Sequence, residues 1–189
     1  MMRGFFGVGV QSISKEQNLG NLVRTTHAFG GSFFFTIKPD IDLDLVRVSD
    51  TSDAFDHLPL YNFDTVDALR LPTGCQLVGV ELTDESVPLP SFRHPTRAAY
   101  VLGPEMGSLS PDLLAKCDHV IRIPMKFCVN VGVAGAIVMY DRLVSMGRFA
   151  DRPVAAGGPI DARLDNMPTP VWQPRRVVRH PLKGRKVTE

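Results

Sequence analysis

The chain has 189 residues, of which 44% are hydrophobic and 22% are charged, so it is long enough for one domain with a substantial core. Its formal net charge is +1, and no apolar run reaches the roughly 18 residues of a membrane-spanning helix, which argues against a membrane protein. The three cysteines are scattered and form no C-x-x-C pair. This argues against a disulfide framework or a zinc site, and predicts a reducing, cytoplasmic setting.

Basic and acidic residues are distributed unevenly along the chain. From residue 163 onward there are seven basic and two acidic side chains, so this end carries a charge of +5 and the remainder −4. The same segment is rich in proline and lacks helical or strand periodicity. We therefore predict a folded domain over residues 1–150 and a Pro-rich basic tail, largely disordered, over 151–189. Two interpretations of the tail stand, a phosphate-attracting arm and a solubilising terminus.

Strand-like and helix-like segments alternate before this tail. Runs of β-branched and aromatic residues predict strands over 4–10, 32–38, 75–82, 98–104 and 119–125. The spacing of apolar residues predicts helices over 18–31, 63–71, 111–117 and 129–147. Because the two kinds of element alternate at βα spacing, we predict an α/β fold in which helices flank a mostly parallel sheet.

The first predicted helix carries a polar pair as well as an apolar face. Asn18 is expected to cap its start, and Gly30 and Gly31 are expected to end it. Arg24 does not share a helical face with Asn18. It is interpreted either as a surface cation or as an anion clamp.

Two loops follow predicted strands, LGPEMGSLS over 102–110 and IPMKFCVN over 123–130. In open α/β sheets, ligands bind beyond the carboxyl ends of the strands. Gly103 and Gly107 would let the backbone approach a ligand closely, with Glu105 held between them. Two interpretations stand for this loop, a ligand site and an ordinary βα turn with a solvated glutamate.

The last predicted helix is apolar on nearly every side, so we expect it to be buried on more than one side. Gly132 and Gly135 each lower helix propensity by roughly 1 kcal/mol relative to alanine. Their presence predicts that a second helix or a flat ligand approaches the backbone there. Asn130 is expected to cap the helix while offering its amide to a neighbour.

Three segments, in this order, resemble the three motifs of the SpoU/TrmH branch of the SPOUT methyltransferases. They are N-x-G-x-x-x-R-x-x-x-x-F-G (18–30), L-G-P-E-x-x-x-L-S (102–110) and I-P-M…N-V-x-V-A-x-A-I-x-x-Y (123–140). The resemblance covers residues 5–147. It implies an RNA 2′-O-ribose methyltransferase that uses S-adenosylmethionine, with a C-terminal trefoil knot and a homodimer packed through helices beside the knot.

Matched by position, the resemblance also implies which residues carry the chemistry. Those implied for catalysis are Arg24, Asn18, Asn130 and Glu105. Those implied for cofactor contacts, made largely through backbone groups, are Leu82, Gly103, Ile123, Met125, Cys128 and Val133. A guanidinium keeps its proton in ordinary protein settings. Arg24 is therefore expected to bind the adjacent phosphate and to stabilise the developing alkoxide.

The chain departs from the family pattern at two places. Cys128 stands where the family usually has serine, and a thiol is a weaker hydrogen-bonding group than a hydroxyl. Met106 and Ser108 stand where the second motif usually has glycines, which changes the expected shape of that loop.

Other functions remain as alternatives. The departures are compatible with a SPOUT-like dimer that binds RNA or cofactor without catalysis, and methylation of a non-RNA acceptor also stays open. A Rossmann-type nucleotide enzyme is disfavoured because neither G-x-G-x-x-G nor G-x-x-x-x-G-K-[ST] occurs. No metal is expected, since His94 and His119 lack partners at ligand spacing. The compact chain makes tRNA the expected substrate rather than ribosomal RNA.

Overall fold

The computed structural model describes residues 4–43 and 54–147, together with the single positions 149, 152, 154, 156 and 157. Contacts divide the chain into two units, Met1–Gly147 and Arg148–Glu189. The predicted basic tail over 151–189 lies almost wholly outside the described residues. Every helix and strand named below belongs to the first unit.

The described residues form one sheet of seven strands, and every neighbouring pair is parallel. The strands are β1 Phe5–Gln11, β2 Phe33–Ile37, β3 Leu60–Phe63, β4 Gln76–Val80, β5 Val87–Pro88, β6 Arg97–Leu102 and β7 His119–Arg122. Their order across the sheet is β3-β2-β1-β6-β4-β7-β5. The predicted parallel α/β fold is confirmed, and the trefoil knot stays a prediction.

Helices cover both faces of this sheet. They are α1 Glu16–Ala28, α2 Ala54–His57, α3 Pro111–Leu114 and α4 Val131–Met146, with a 3-10 turn over Leu89–Ser91. Residues of α1 and α4 share one hydrophobic cluster with the strands, and Leu113 of α3 belongs to a second cluster. Alternation along the strands explains the division, since Val8 and Tyr100 point into the first cluster while their neighbours Ala99 and Val101 point into the second.

The glycines of the first strand make room for aromatic rings. A Cβ added at Gly7 or Gly9 would come within 2.3 Å of the ring of Phe33 or Phe35 on the adjacent strand β2. Both rings are buried in the second cluster. Glycine and valine therefore alternate in β1 with different effects on the two faces of the sheet. On the face of the glycines the space is filled by the rings of β2, and on the opposite face by the valine side chains of β1 itself.

The close approach predicted at the glycines of the last helix is made by a second helix. A Cβ added at Gly135 would lie 2.5 Å from Cδ2 of Leu22 on α1. Leu22 is fully buried. The missing side chain at Gly135 therefore sets how closely α1 and α4 pack.

Two local predictions are wrong. The helix predicted over 63–71 does not form, because Phe63 ends strand β3, residues 64–68 form bends and turns, and residues 69–71 are irregular. Asn18 does not cap α1, since this helix starts at Glu16 with Lys15 in the capping position. Two other predictions are confirmed, the start of α4 at an Asn130 cap and the end of α1 before Gly30, whose φ is +77°.

A buried polar cluster ties α4 to the amino ends of the central strands. Arg142 donates hydrogen bonds to the carbonyls of Pro95 and Thr96 and to the Tyr100 hydroxyl. His94 Nδ1 lies 2.5 Å from that hydroxyl, and its Nε2 lies 2.9 Å from Asp141 Oδ2. Since Tyr100 accepts from Arg142, its own proton is free to go to Nδ1, which makes Nε2 the protonated nitrogen of a neutral imidazole.

None of the helices in the described part of the chain has the length and apolar character needed to cross a membrane.

Candidate functional site

A cleft of about 460 Å³ opens at the carboxyl ends of three neighbouring strands. Val80, Leu102 and Arg122, the last residues of β4, β6 and β7, form its floor, and the start of α4 forms one wall. Parallel strands bring their carboxyl ends to one edge of a sheet, where the connecting loops can surround a ligand. The two loops singled out in the sequence, 102–110 and 123–130, both contribute to this cleft.

Glu105 is the best-anchored side chain of the cleft. Its Oε1 accepts from Asn18 Nδ2 at 2.8 Å and from the backbone N–H of Lys15 at 3.2 Å. Its Oε2 accepts from the backbone N–H and the hydroxyl of Ser14, at 3.1 and 3.0 Å. Partial burial works against the charged form, but the hydrogen bonds from Asn18 and Ser14 outweigh it and lower the pKa of Glu105. Glu105 is therefore held by groups of the protein as well as by solvent.

Asn18 and Asn130 extend this arrangement into a series of consecutive hydrogen bonds from Glu105 through Asn18 to Asn130, called the relay below. Asn18 Oδ1 accepts from Asn130 Nδ2 at 2.9 Å, and Asn130 Oδ1 accepts from the backbone N–H of Gly132 at 2.8 Å. Asn130 thus caps α4 and offers its amide to a neighbour, as predicted. The first turn of α1, the loop after β6 and the start of α4 are joined by consecutive hydrogen bonds.

Glu81, the residue directly after β4, is a second anchored carboxylate that the sequence interpretation missed. Its Oε2 accepts from the backbone N–H of Leu109 at 2.7 Å, and its Oε1 accepts from that of Leu82 at 2.9 Å. It thereby ties the loop after β4 to the loop that carries Glu105. The sequence prediction placed Glu81 inside a strand over 75–82, whereas β4 ends at Val80, so the signal that pointed to Glu105 was not available here.

The structure brings most of the predicted site residues together and leaves two apart. The cleft is lined by Asn18, Glu105, Asn130, Leu82, Gly103, Ile123, Met125 and Cys128. Val133 and Arg24 are exposed and lie outside this lining. Arg24 makes no hydrogen bond or ion pair with another described residue. The roles implied for all of these residues stay predictions.

Among residues 4–43 and 54–147, no group of three or more His, Cys, Asp or Glu side chains is placed to hold a metal ion.

The comparison with known families decides to which group the chain belongs. Residues 6–140 match the model of the SpoU rRNA Methylase family, a span that contains most of the described fold. The chain belongs to the SpoU methylase family. The resemblance found in the three motifs is thereby confirmed, and the cleft of this SpoU family member is the place where those motifs converge.

A curated protein is similar to this chain in sequence. The mouse tRNA (guanosine(18)-2'-O)-methyltransferase TARBP1 is 26% identical over 139 residues, which cover 68% of this chain. The match spans only 9% of the length of TARBP1.

Solved structures share the fold. The AdoMet-bound rRNA methyltransferase of Sinorhizobium meliloti is 22% identical with a TM-score of 0.67, and the match covers 77% of this chain and 58% of that one. A solved structure whose description concerns the 2-OH methylation of C/U34 on tRNA is 24% identical to this chain, with a TM-score of 0.64. The match covers 76% of this chain and 97% of that one. At these identities the likeness establishes the fold of this SpoU family member and leaves its chemistry to be argued from its own residues.

Proposed function

We propose that this protein transfers a methyl group from S-adenosylmethionine to a ribose 2′-hydroxyl of RNA. The observation that carries the proposal is the hydrogen-bonded relay of Glu105, Asn18 and Asn130, which unites all three family motifs along one cleft. The relatives support it by their descriptions, since TARBP1 is a tRNA 2'-O-methyltransferase and the S. meliloti structure holds AdoMet.

The residues of the cleft fit such a cofactor. Its volume of about 460 Å³ lies within the range of roughly 300 to 1,000 Å³ that is usual for small-molecule sites. A Cβ added at Gly103 would come within 3.2 Å of the Leu109 backbone nitrogen, so the loop is as tight as a backbone cradle requires. Leu82, Ile123 and Met125 add apolar surface. When bound, the cofactor supplies an electrophilic methyl group on a sulfonium.

The anchored side chains of the cleft act by positioning. Glu105 accepts four hydrogen bonds and has a lowered pKa, so it is a poor proton acceptor and serves to hold the loop after β6 against α1. Asn18 and Asn130 fix the start of α4 to the same point. Methyl transfer needs an in-line approach of the acceptor hydroxyl, and a rigid cleft provides that orientation.

Arg24 is proposed as the group that meets the RNA beside the reacting hydroxyl. Its side chain is exposed and its donors are not used within the described chain. A guanidinium binds phosphate through two parallel hydrogen bonds and stabilises negative charge that develops on a nearby oxygen.

A homodimer is proposed from the exposed face of α4. Val133, Tyr140 and Val144 are 49%, 56% and 38% exposed, and Ile137 lies between them at helical spacing. A stripe of this kind is typical of a helix that packs against a partner. Sedimentation of the wild-type chain and of Tyr140→Glu measures this directly, and we expect a dimer for the first and a monomer for the second.

The substrate is proposed to be tRNA, which the descriptions of TARBP1 and of the C/U34 structure support. The family description and the S. meliloti structure name rRNA instead. The proposed cytoplasmic setting is supported by Cys75, Cys117 and Cys128, which are all free thiols.

The decisive experiment combines transfer and binding measurements. Purified protein is incubated with tritium-labelled S-adenosylmethionine and either tRNA or rRNA from cells that lack it, and 2′-O-methylated nucleosides are identified by mass spectrometry. We expect label in the ribose of tRNA. Calorimetric binding of the cofactor without transfer to either RNA would favour the alternative, a binding module without catalysis.

A further inference from the structure

We propose that Lys15 binds a backbone phosphate of the acceptor RNA at the mouth of the cleft. This inference rests on the proposed RNA methyltransferase function and adds a residue that positions the substrate. Lys15 lies directly before α1, and it was not singled out by the sequence motifs.

The charged side chains that line the cleft are nearly all engaged with the protein itself. They are Lys15, Glu81, Glu105 and Arg122. Glu105 accepts four hydrogen bonds and Glu81 accepts two. Arg122 donates to the carbonyl and the hydroxyl of Ser86. The two carboxylates hold loops in place, and Arg122 uses a single guanidinium nitrogen, Nη1, for both of its bonds to Ser86.

Lys15 differs from them, because its backbone is fixed and its side chain is not. The backbone N–H donates to Glu105 Oε1 at 3.2 Å, and the residue occupies the capping position of α1. The exposed ammonium makes no hydrogen bond or ion pair with any residue in the described part of the chain. Of the two cations that line the cleft, Lys15 is therefore the one whose charged group has no partner among the described residues.

An ammonium group binds anionic oxygen atoms, and at the mouth of this cleft we expect that oxygen to belong to an RNA phosphate. Lysine binds phosphate as a point charge on a flexible stem. Lys15 is adjacent to the Glu105–Asn18–Asn130 relay and is exposed, so its ammonium is accessible to a large substrate that enters the cleft. RNA presents an ionised phosphate at every nucleotide, including the one whose ribose enters.

The test compares Lys15→Met and Lys15→Arg with Lys126→Met, a control that removes the same charge from an exposed lysine outside the cleft lining. The measurements are kcat, KM for RNA at several salt concentrations, the Kd for S-adenosylmethionine, and the melting temperature. We expect Lys15→Met to raise KM for RNA about tenfold, as the loss of one charged contact does. It should also reduce the salt slope of RNA affinity by about 0.7 to 0.9, the value for one phosphate.

Three further results define the outcome. Support requires an unchanged Kd for S-adenosylmethionine in Lys15→Met, and a KM near wild type in both Lys15→Arg and Lys126→Met. An unchanged KM and salt slope in Lys15→Met, beside an active wild-type protein, overturns the inference about Lys15 and leaves the proposed function standing. Equal losses in Lys126→Met, or a weakened cofactor Kd in Lys15→Met, also overturn it. An inactive wild-type protein overturns the proposed function, and the inference with it.

Discussion

Asn18 and Glu105 are joined by a hydrogen bond of 2.8 Å from the amide nitrogen of the first to Oε1 of the second. The amide oxygen of the same asparagine accepts from Asn130 at 2.9 Å. One small side chain therefore uses a donor toward the loop after β6 and an acceptor toward the start of α4. A replacement must supply both functions in the same place to keep the cleft assembled.

Asn18→Asp should break this arrangement without changing its size. The new carboxylate oxygen would face Glu105 Oε1 where a donor stood, so a hydrogen bond becomes a repulsion. We expect a loss of about 1 to 3 kcal/mol in the free energy of unfolding, measured in urea, and weaker binding of S-adenosylmethionine. Gln17→Glu introduces the same charge at an exposed neighbour and should change neither quantity. Wild-type cofactor affinity in Asn18→Asp would show that the relay does not shape the site.

Glu81→Gln should loosen two loops together. A carboxylate accepts from both Leu109 and Leu82, whereas the amide of glutamine has only one oxygen to offer. We expect the Kd for S-adenosylmethionine, measured by calorimetry, to rise by a factor of about ten, the cost of one charged hydrogen bond. Glu85→Gln makes the same change at an exposed position and should bind normally. Equal affinities for the two variants would remove Glu81 from the site.

Gly135→Ala should destabilise the fold by overpacking the contact between α1 and α4. The added methyl group would meet Leu22 at 2.5 Å, and an insertion of this kind costs about 1 to 3 kcal/mol. Gly20→Ala serves as the control, because no atom lies within 4 Å of a Cβ there. This variant should gain up to about 1 kcal/mol from helix propensity. Chemical unfolding distinguishes the two, and a stabilised Gly135→Ala would contradict the packing described for these helices.

Stability should fall as the pH drops below about 6.5, the ordinary pKa of histidine. Burial lowers the pKa of His94, and this outweighs the hydrogen bond to Asp141, which acts to raise it. The unfolded chain therefore takes up the proton at a higher pH than the folded one, so stabilisation is present above the unfolded pKa and is lost on acidification. In His94→Gln, the unfolding midpoint should change less between pH 7.5 and 5.5 than it does in the wild type. A wild-type pH profile in His94→Gln would contradict this assignment.

Arg24→Ala should separate binding of the cofactor from transfer of its methyl group. Arg24 lies outside the cleft lining, so the Kd for S-adenosylmethionine should remain that of the wild type. Loss of a guanidinium that stabilises developing charge should reduce kcat by about 100-fold or more. Arg93→Ala removes another exposed arginine and should leave kcat unchanged. Methylation at the wild-type rate by Arg24→Ala would show that the role implied by the family is wrong here.

The sequence predicted the central part of the fold because its strands are long and strongly apolar. Phe33–Ile37 and Arg97–Leu102 are buried almost throughout, so composition alone marks them. The edge strands gave no such signal. Leu60–Phe63 has two exposed residues among four, and β5 comprises only Val87 and Pro88. Such short edges are specified by pairing with a neighbour, which local patterns do not contain.

The sequence predicted which loops form the candidate site, but it did not predict most of the contacts between their side chains. A glutamate between glycines after a strand pointed to Glu105, and the polar start of an apolar helix pointed to Asn130. Asn18 was misassigned as a cap, because its two partners lie 87 and 112 residues away in the chain. Glu81 was missed for a related reason, since it accepts a hydrogen bond from the backbone of Leu109, 28 residues away in the chain.

The insertion of β6 between β1 and β4 has a consequence for synthesis of the chain. β1 pairs with β6 from Phe5 opposite Arg97 to Val10 opposite Leu102, so its second edge stays without a partner until the late strand has emerged. At ordinary translation rates this interval is on the order of ten seconds. Apolar strand edges left open for that long are prone to pair with other chains. Shielding of this edge by the ribosome or a chaperone would protect the nascent protein during this interval.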